Sequence, residues 1–170
     1  MRLEIGSTLV YGSRGVCKVE DVKIERFGKE EREYYVLCPM NDPKSQIYVP
    51  VDSDRIEKQA RRVITPDQIE RILRALPENA AWIEDNRARA DYFRSVLEGG
   101  DLSLMMQTVH TLYLKKSELT AIGKHLNVAD ENTFEKLEKL LHDEFALALG
   151  ISCDEVMPFI KKRISAASAG

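Results

Sequence analysis

The chain has 170 residues, 44% of them hydrophobic, with a formal net charge of −3. That apolar fraction supports a packed core and excludes a globally disordered chain. The acidic balance excludes an overall basic nucleic-acid binder, so any contact with phosphates would need a local patch of Lys and Arg.

The N-terminal third alternates with period 2. In "LVYGSRGVCKVEDV" an apolar run ends at Tyr11, a turn follows over Gly12-Ser13-Arg14-Gly15, and a second run sets Val16, Lys18 and Glu20 against Cys17, Val19 and Asp21. Two runs joined this tightly predict a hairpin. Val22 to Phe27 extends its second strand, Gly28-Lys29-Glu30 is a polar turn, and Tyr34 to Leu37 is a third strand rich in aromatic and β-branched residues. Asn41-Asp42-Pro43 is a loop, and Ile47 to Val49 a fourth strand stopped by Pro50. Strands this short and closely spaced predict a small, strongly curved antiparallel sheet or barrel over residues 1–60.

From about residue 61 to residue 170 the period is helical, so the fold class expected is α+β with an all-α second domain of about five helices. Thr65-Pro66-Asp67-Gln68 reads as a capping box with Pro at the first helical position, followed by the stripe Ile69, Ile72, Leu73, Leu76 and the stop at Pro77. A second helix is expected from Asn79 to Glu98, ended by Gly99-Gly100. Asp101 caps a third, with Leu104, Met105, Thr108 and Leu112 inward. A long fourth helix runs from Asn127 to Leu149 on Phe134, Leu137, Leu141, Phe145 and Ala148, ending at Gly150. The last helix begins either at a Ser152/Glu155 box, which leaves Pro158 inside, or nearer Met157. The tail from Ser165 is expected to fray.

Catalytic chemistry is hard to find. His110, His125 and His142 share no metal-ligand spacing, and Glu138/His142 fits a solvated pair one helical turn apart. The turn over Gly12 to Gly15 is too short for a phosphate loop and leads into a strand rather than a helix. Cys17, Cys38 and Cys153 form no CxxC pair and read as reduced thiols. No basic leader with an apolar core opens the sequence, and no apolar run approaches the ~20 residues that span a bilayer. The expectation is a cytoplasmic binding module rather than an enzyme, with no cofactor, no metal, no small-molecule substrate and no membrane partner.

"IGSTLVYGSRGVCKVEDV", "EYYVL" and "IYVPV" resemble the CarD/CdnL family of bacterial transcription regulators, whose N-terminal domain is similar to the RNA-polymerase-interaction domain of the transcription-repair coupling factor. Gly6, Val10, Tyr11, Gly15, Val16, Tyr35, Val36, Leu37, Val49 and Pro50 match the family pattern. Ser7 replaces its usual acid and Gly12 its usual Pro. In the helical half, "NRARADYFRSVLEGGD", "TLYLKKSEL" and "ADENTFEKLEKLLHDEFALALGI" are similar to the family's second domain, in a form associated with Firmicutes.

The resemblance implies a Tudor-like sheet that docks on the polymerase β subunit by pairing an exposed strand. The candidates for that contact are Lys23, Glu25, Arg26, Lys44, Gln46 and Tyr48. It also implies a helical domain that touches promoter DNA weakly and without base specificity, with a tryptophan wedged at the edge of the open bubble. Here Asn86 stands at the family's Trp position, and the single tryptophan, Trp82, lies four residues earlier. Trp82 is therefore either a wedge or core, and Arg87, Arg89, Lys115 and Lys116 are the phosphate candidates. Lys124-His125 and Lys161-Lys162-Arg163 are further basic strips. Between Glu78 and Glu98 three bases stand against five acids. Two readings stay open: a regulator of open-complex stability that contacts both polymerase and promoter, and a polymerase-bound protein–protein adaptor with no DNA contact.

Overall fold

The computed structural model describes residues 2–77 and 81–169. Two compact units divide the chain, one ending at Val63 and the other starting at Ile64.

The first unit is an open, curved antiparallel sheet. Its strands are β1 (Thr8–Tyr11), β2 (Val16–Phe27), β3 (Glu30–Pro39), β4 (Ile47–Pro50) and β5 (Ala60–Arg61), in the order β4-β3-β2-β1-β5. The β1–β2 connection is a single 3-10 turn, Gly12–Arg14, closed by Tyr11 N–H donating to the Gly15 carbonyl at 3.0 Å. Gly12 and Gly15 take φ values of 50° and 77°, a region costly for residues with a Cβ. One short helix, α1 (Arg55–Gln59), lies before β5. Alternation puts Leu9, Cys17, Val19, Tyr35, Leu37 and Val49 on one face, and Ile56 of α1 packs into the same cluster. The unit extends past residue 60 because Ala60 and Arg61 pair with Tyr11 and Val10.

The strict alternation expected along β2 breaks at one point. The register runs Val19↔Leu37 and then Asp21↔Val36, so Glu20 is an extra residue in a β-bulge. Asp21 therefore leaves the side of Cys17 and Val19 and joins that of Lys18. Beyond the bulge, Val22 opposite Tyr35 returns to the core face, while Lys23, Glu25 and Phe27 take the other.

The second unit contains α2 (Pro66–Arg74), α3 (Asn86–Gly99), α4 (Leu102–Ala121), α5 (Val128–Leu149) and α6 (Cys153–Ala169). The Thr65 capping box forms with both hydrogen bonds in place, Gln68 N–H to Thr65 Oγ1 at 3.2 Å and Thr65 N–H to Gln68 Oε1 at 3.0 Å. The core gathers Ile69 and Leu73 from α2, Phe93 and Val96 from α3, Met105, Met106, Val109 and Leu112 from α4, and Phe134, Leu137, Leu141 and Phe145 from α5, closed by Val156 and Ile160 from α6. Glu144 is buried among them and accepts the Ile64 amide at 2.9 Å.

Three expectations need correction. α3 starts at Asn86, because Asp85 caps it by accepting the Ala88 amide at 2.8 Å; the expected start at Asn79 lies outside the described residues. Leu104 is 38% exposed, since Leu102, Met105 and Met106 occupy the inward positions of the first turns of α4. The expected fraying from Ser165 is not seen: α6 runs from Cys153 to Ala169 with Pro158 inside, as the earlier of the two possible starts requires.

Candidate functional site

β4 stands at one end of the sheet. The Val51 amide donates to the Glu33 carbonyl at 3.0 Å, which sets the parity of this ladder. Antiparallel residues alternate between facing the partner strand and facing away. Val49 and Ile47 therefore aim their amides at β3, and Tyr48 aims its own outward. Pro50 occupies the next outward position, where a missing N–H costs no ladder bond.

Beside this edge lies an aromatic cluster on the sheet face opposite the core. Phe27 meets Tyr34 edge-on at a centroid distance of 5.1 Å and Tyr48 at 5.7 Å, and Tyr34 meets Tyr48 at 6.3 Å. Phe27 is 55% exposed and Ile24, on the other face of the same ribbon, 65%. Lys23 is paired with Tyr34 and Glu25 with Arg32, so both share the aromatic face with Tyr48. Arg26, opposite Glu31, is on the other face. Lys44 and Gln46 precede β4 in the loop rather than standing in a strand. Gln46 ties the bulge to the edge: its Nε2 donates to Glu20 Oε2 at 3.2 Å, and Tyr48 Oη donates to its Oε1 at 3.3 Å. Sequence reasoning missed Phe27, Tyr34 and Arg32. The register of the β2–β3 hairpin was the signal that would have found them.

In the helical unit, Trp82 precedes α3 and is not part of it, so it does not share a helical face with Asn86. It is partly buried against the core and meets Phe93 at 6.4 Å. The Arg89 guanidinium lies 4.4 Å from its ring centroid and the Lys115 ammonium 5.4 Å. These are cation–π distances.

The phosphate candidates do not form one exposed patch. Arg89 is 3% exposed. Its Nε and Nη2 grip Asp130, the shortest contact being 2.7 Å, and its remaining donors reach the Ile83 carbonyl at 2.8 Å, the Glu84 carbonyl at 3.3 Å and Asn86 Oδ1 at 2.7 Å. A guanidinium used in this way pins the segment before α3 to the first turn of α5. Lys116 is paired with Glu131 at 2.7 Å, and Lys115 lies 3.8 Å from Glu118. Arg87 is exposed.

The described residues hold no group of three His, Cys, Asp or Glu able to hold a metal, and no helix among them is long and apolar enough to cross a membrane. Burial pushes the Cys17 thiol up to about 11, with Cys38 adding to the shift, so Cys17 stays protonated and a poor nucleophile. What the surfaces offer is recognition: an open strand edge with an aromatic flank in one unit, and a cation–aromatic cluster braced by a buried ion pair in the other. Residues 3–64 match the family model of the CarD-like/TRCF RID domain, which spans the sheet unit and stops as the helical unit begins. No individual curated protein matches the chain.

Proposed function

We propose that this chain, whose residues 3–64 match the CarD-like/TRCF RID domain, docks on the polymerase β subunit through the β4 edge and modulates the stability of the open promoter complex, without catalysis of its own. The observation that carries the docking mode is the outward amide of Tyr48 on an end strand. Such an edge is a template for a strand of another chain, with backbone bonds supplying affinity and neighbouring side chains specificity. Phe27, Tyr34 and Tyr48 would flank the added strand on one side, with Lys23, Glu25 and Arg32 further along the ribbon.

The second reading, an adaptor without DNA contact, is favoured by one specific observation. Arg89 is buried and ion-paired, and Lys116 and Lys115 lie 2.7 Å and 3.8 Å from glutamates, so of the four phosphate candidates Arg87 is the exposed one best placed for a backbone contact. Weak DNA binding still suffices for the first reading if docking holds the protein at the promoter, because tethering replaces intrinsic affinity by effective concentration.

The test is capture of purified core polymerase by the full chain. Tyr48→Pro removes the outward donor and should abolish capture, while Tyr48→Ala keeps the amide and should retain most of it. Equal capture by both variants and the parent refutes strand pairing at β4. Open-complex lifetimes measured with Arg87→Ala and Lys115→Ala separate the two readings. Shortened lifetimes with unchanged capture support promoter contact, and unchanged lifetimes support the adaptor.

A further inference from the structure

α4, α5 and α6 line a half-open cavity of about 330 Å³ in the helical unit. Its walls are apolar, with Val109, Leu141 and Ile160 from the three helices and the flexible thioethers of Met106 and Met157. The volume is at the lower end of the ~300–1,000 Å³ typical of small-molecule sites. Its polar groups are few. Burial pushes the His110 pKa down against the opposing influence of the Pro77 backbone, and it does the same to His142 against that of Glu138 and Asp143. Both imidazoles are therefore uncharged at neutral pH and compatible with an acyl chain. The one fully charged side chain in the lining is Lys161, whose ammonium lies 5.4 Å over the Tyr113 ring at the cavity wall.

We propose that this cavity binds an amphipathic monocarboxylate, with its hydrocarbon chain among Val109, Leu141 and Ile160 and its carboxylate on Lys161. The polarity of the site sets the orientation. A carboxylate beside His142 would meet the field of Glu138 and Asp143, whereas beside Lys161 it meets a cation. The apolar walls exclude a compact polar anion, which would lose its hydration without replacement partners. The flexible methionines allow some variation in chain length.

The experiment titrates the full chain with decanoate, below the concentration at which it forms micelles, and with decylammonium as the charge-reversed probe of equal length. Methyl spectra of the protein labelled at methionine report the location. Decanoate should bind saturably, shift the Met106 and Met157 methyls and leave Met40 unmoved, while decylammonium binds at least tenfold more weakly. Lys161→Met should weaken decanoate at least tenfold, and Lys136→Met, an exposed lysine of α5 outside the cavity, should not. Equal affinity for the two probes, no loss in Lys161→Met, shifts centred on Met40, or no saturable binding would each overturn the proposal.

Discussion

Replacing Asp130 by Ala removes the carboxylate that holds Arg89. Side-chain exposures of 4% and 7% put this pair in the protein interior, where screening by water and salt gives little relief. Breaking one side of a buried pair costs about 3–5 kcal/mol, because the other charge is left without a counterion. Arg89 retains the Ile83 and Glu84 carbonyls and Asn86 Oδ1, so the lower end, about 3 kcal/mol, is expected. At roughly 4 °C per kcal/mol for about 100 residues, the melting temperature followed by circular dichroism at 222 nm should fall by about 12 °C. The double variant Arg89→Met/Asp130→Leu removes both charges at similar volume and should recover most of that loss. A drop below about 4 °C in Asp130→Ala, or a double variant no better than the single one, would refute the view of Arg89 as an internal brace. It would also return Arg89 to the candidates for DNA contact.

Leu37→Ala, at a fully buried position of β3, should cost about 2–5 kcal/mol; amide exchange along the β2–β3 ladder should speed up roughly a hundredfold. Trp82→Ala should destabilise the helical unit by about 2 kcal/mol, less than a fully buried aromatic, through lost contact with Phe93 and Arg89. An unchanged melting temperature together with a shortened open-complex lifetime would instead identify Trp82 as a wedge on DNA. His110 and His142 both have pKa values below the usual 6.5. The unfolded chain then takes up protons first, so the stability they contribute is complete above about pH 6.5 and declines as the pH falls through the folded-state values. Melting temperatures between pH 7.5 and 5.5 should show that decline, and His110→Gln/His142→Gln should flatten it.

The strands, the capping box at Thr65 and the apolar stripe of α5 were legible because each depends on neighbours within a few residues. The start of α3 was not, since Asn79 and Asp85 both have the chemistry of a cap. The role of Arg89 was hidden for a different reason. An arginine near the start of a helix looks like a surface cation, and its partner Asp130 is 41 residues away. Tyr48 was readable as a strand residue, but its outward amide depends on ladder parity, and the company of Phe27 depends on the register beyond the bulge. Cross-chain pairing of this kind has no signature in local composition.

The bulge at Glu20 separates two properties that strands normally couple, the direction of the chain and the identity of the residues on each face. Val19 and Asp21 already pair with the adjacent residues Leu37 and Val36. Deleting Glu20 would leave every cross-strand pair intact while removing the local bend and added twist that a bulge imposes. Deleting Lys23 instead would force Asp21 and Val22 to exchange sides. A one-residue deletion at Glu20 can thus re-aim the distal ribbon carrying Phe27 while preserving its chemistry, whereas one at Lys23 changes which residues each face presents.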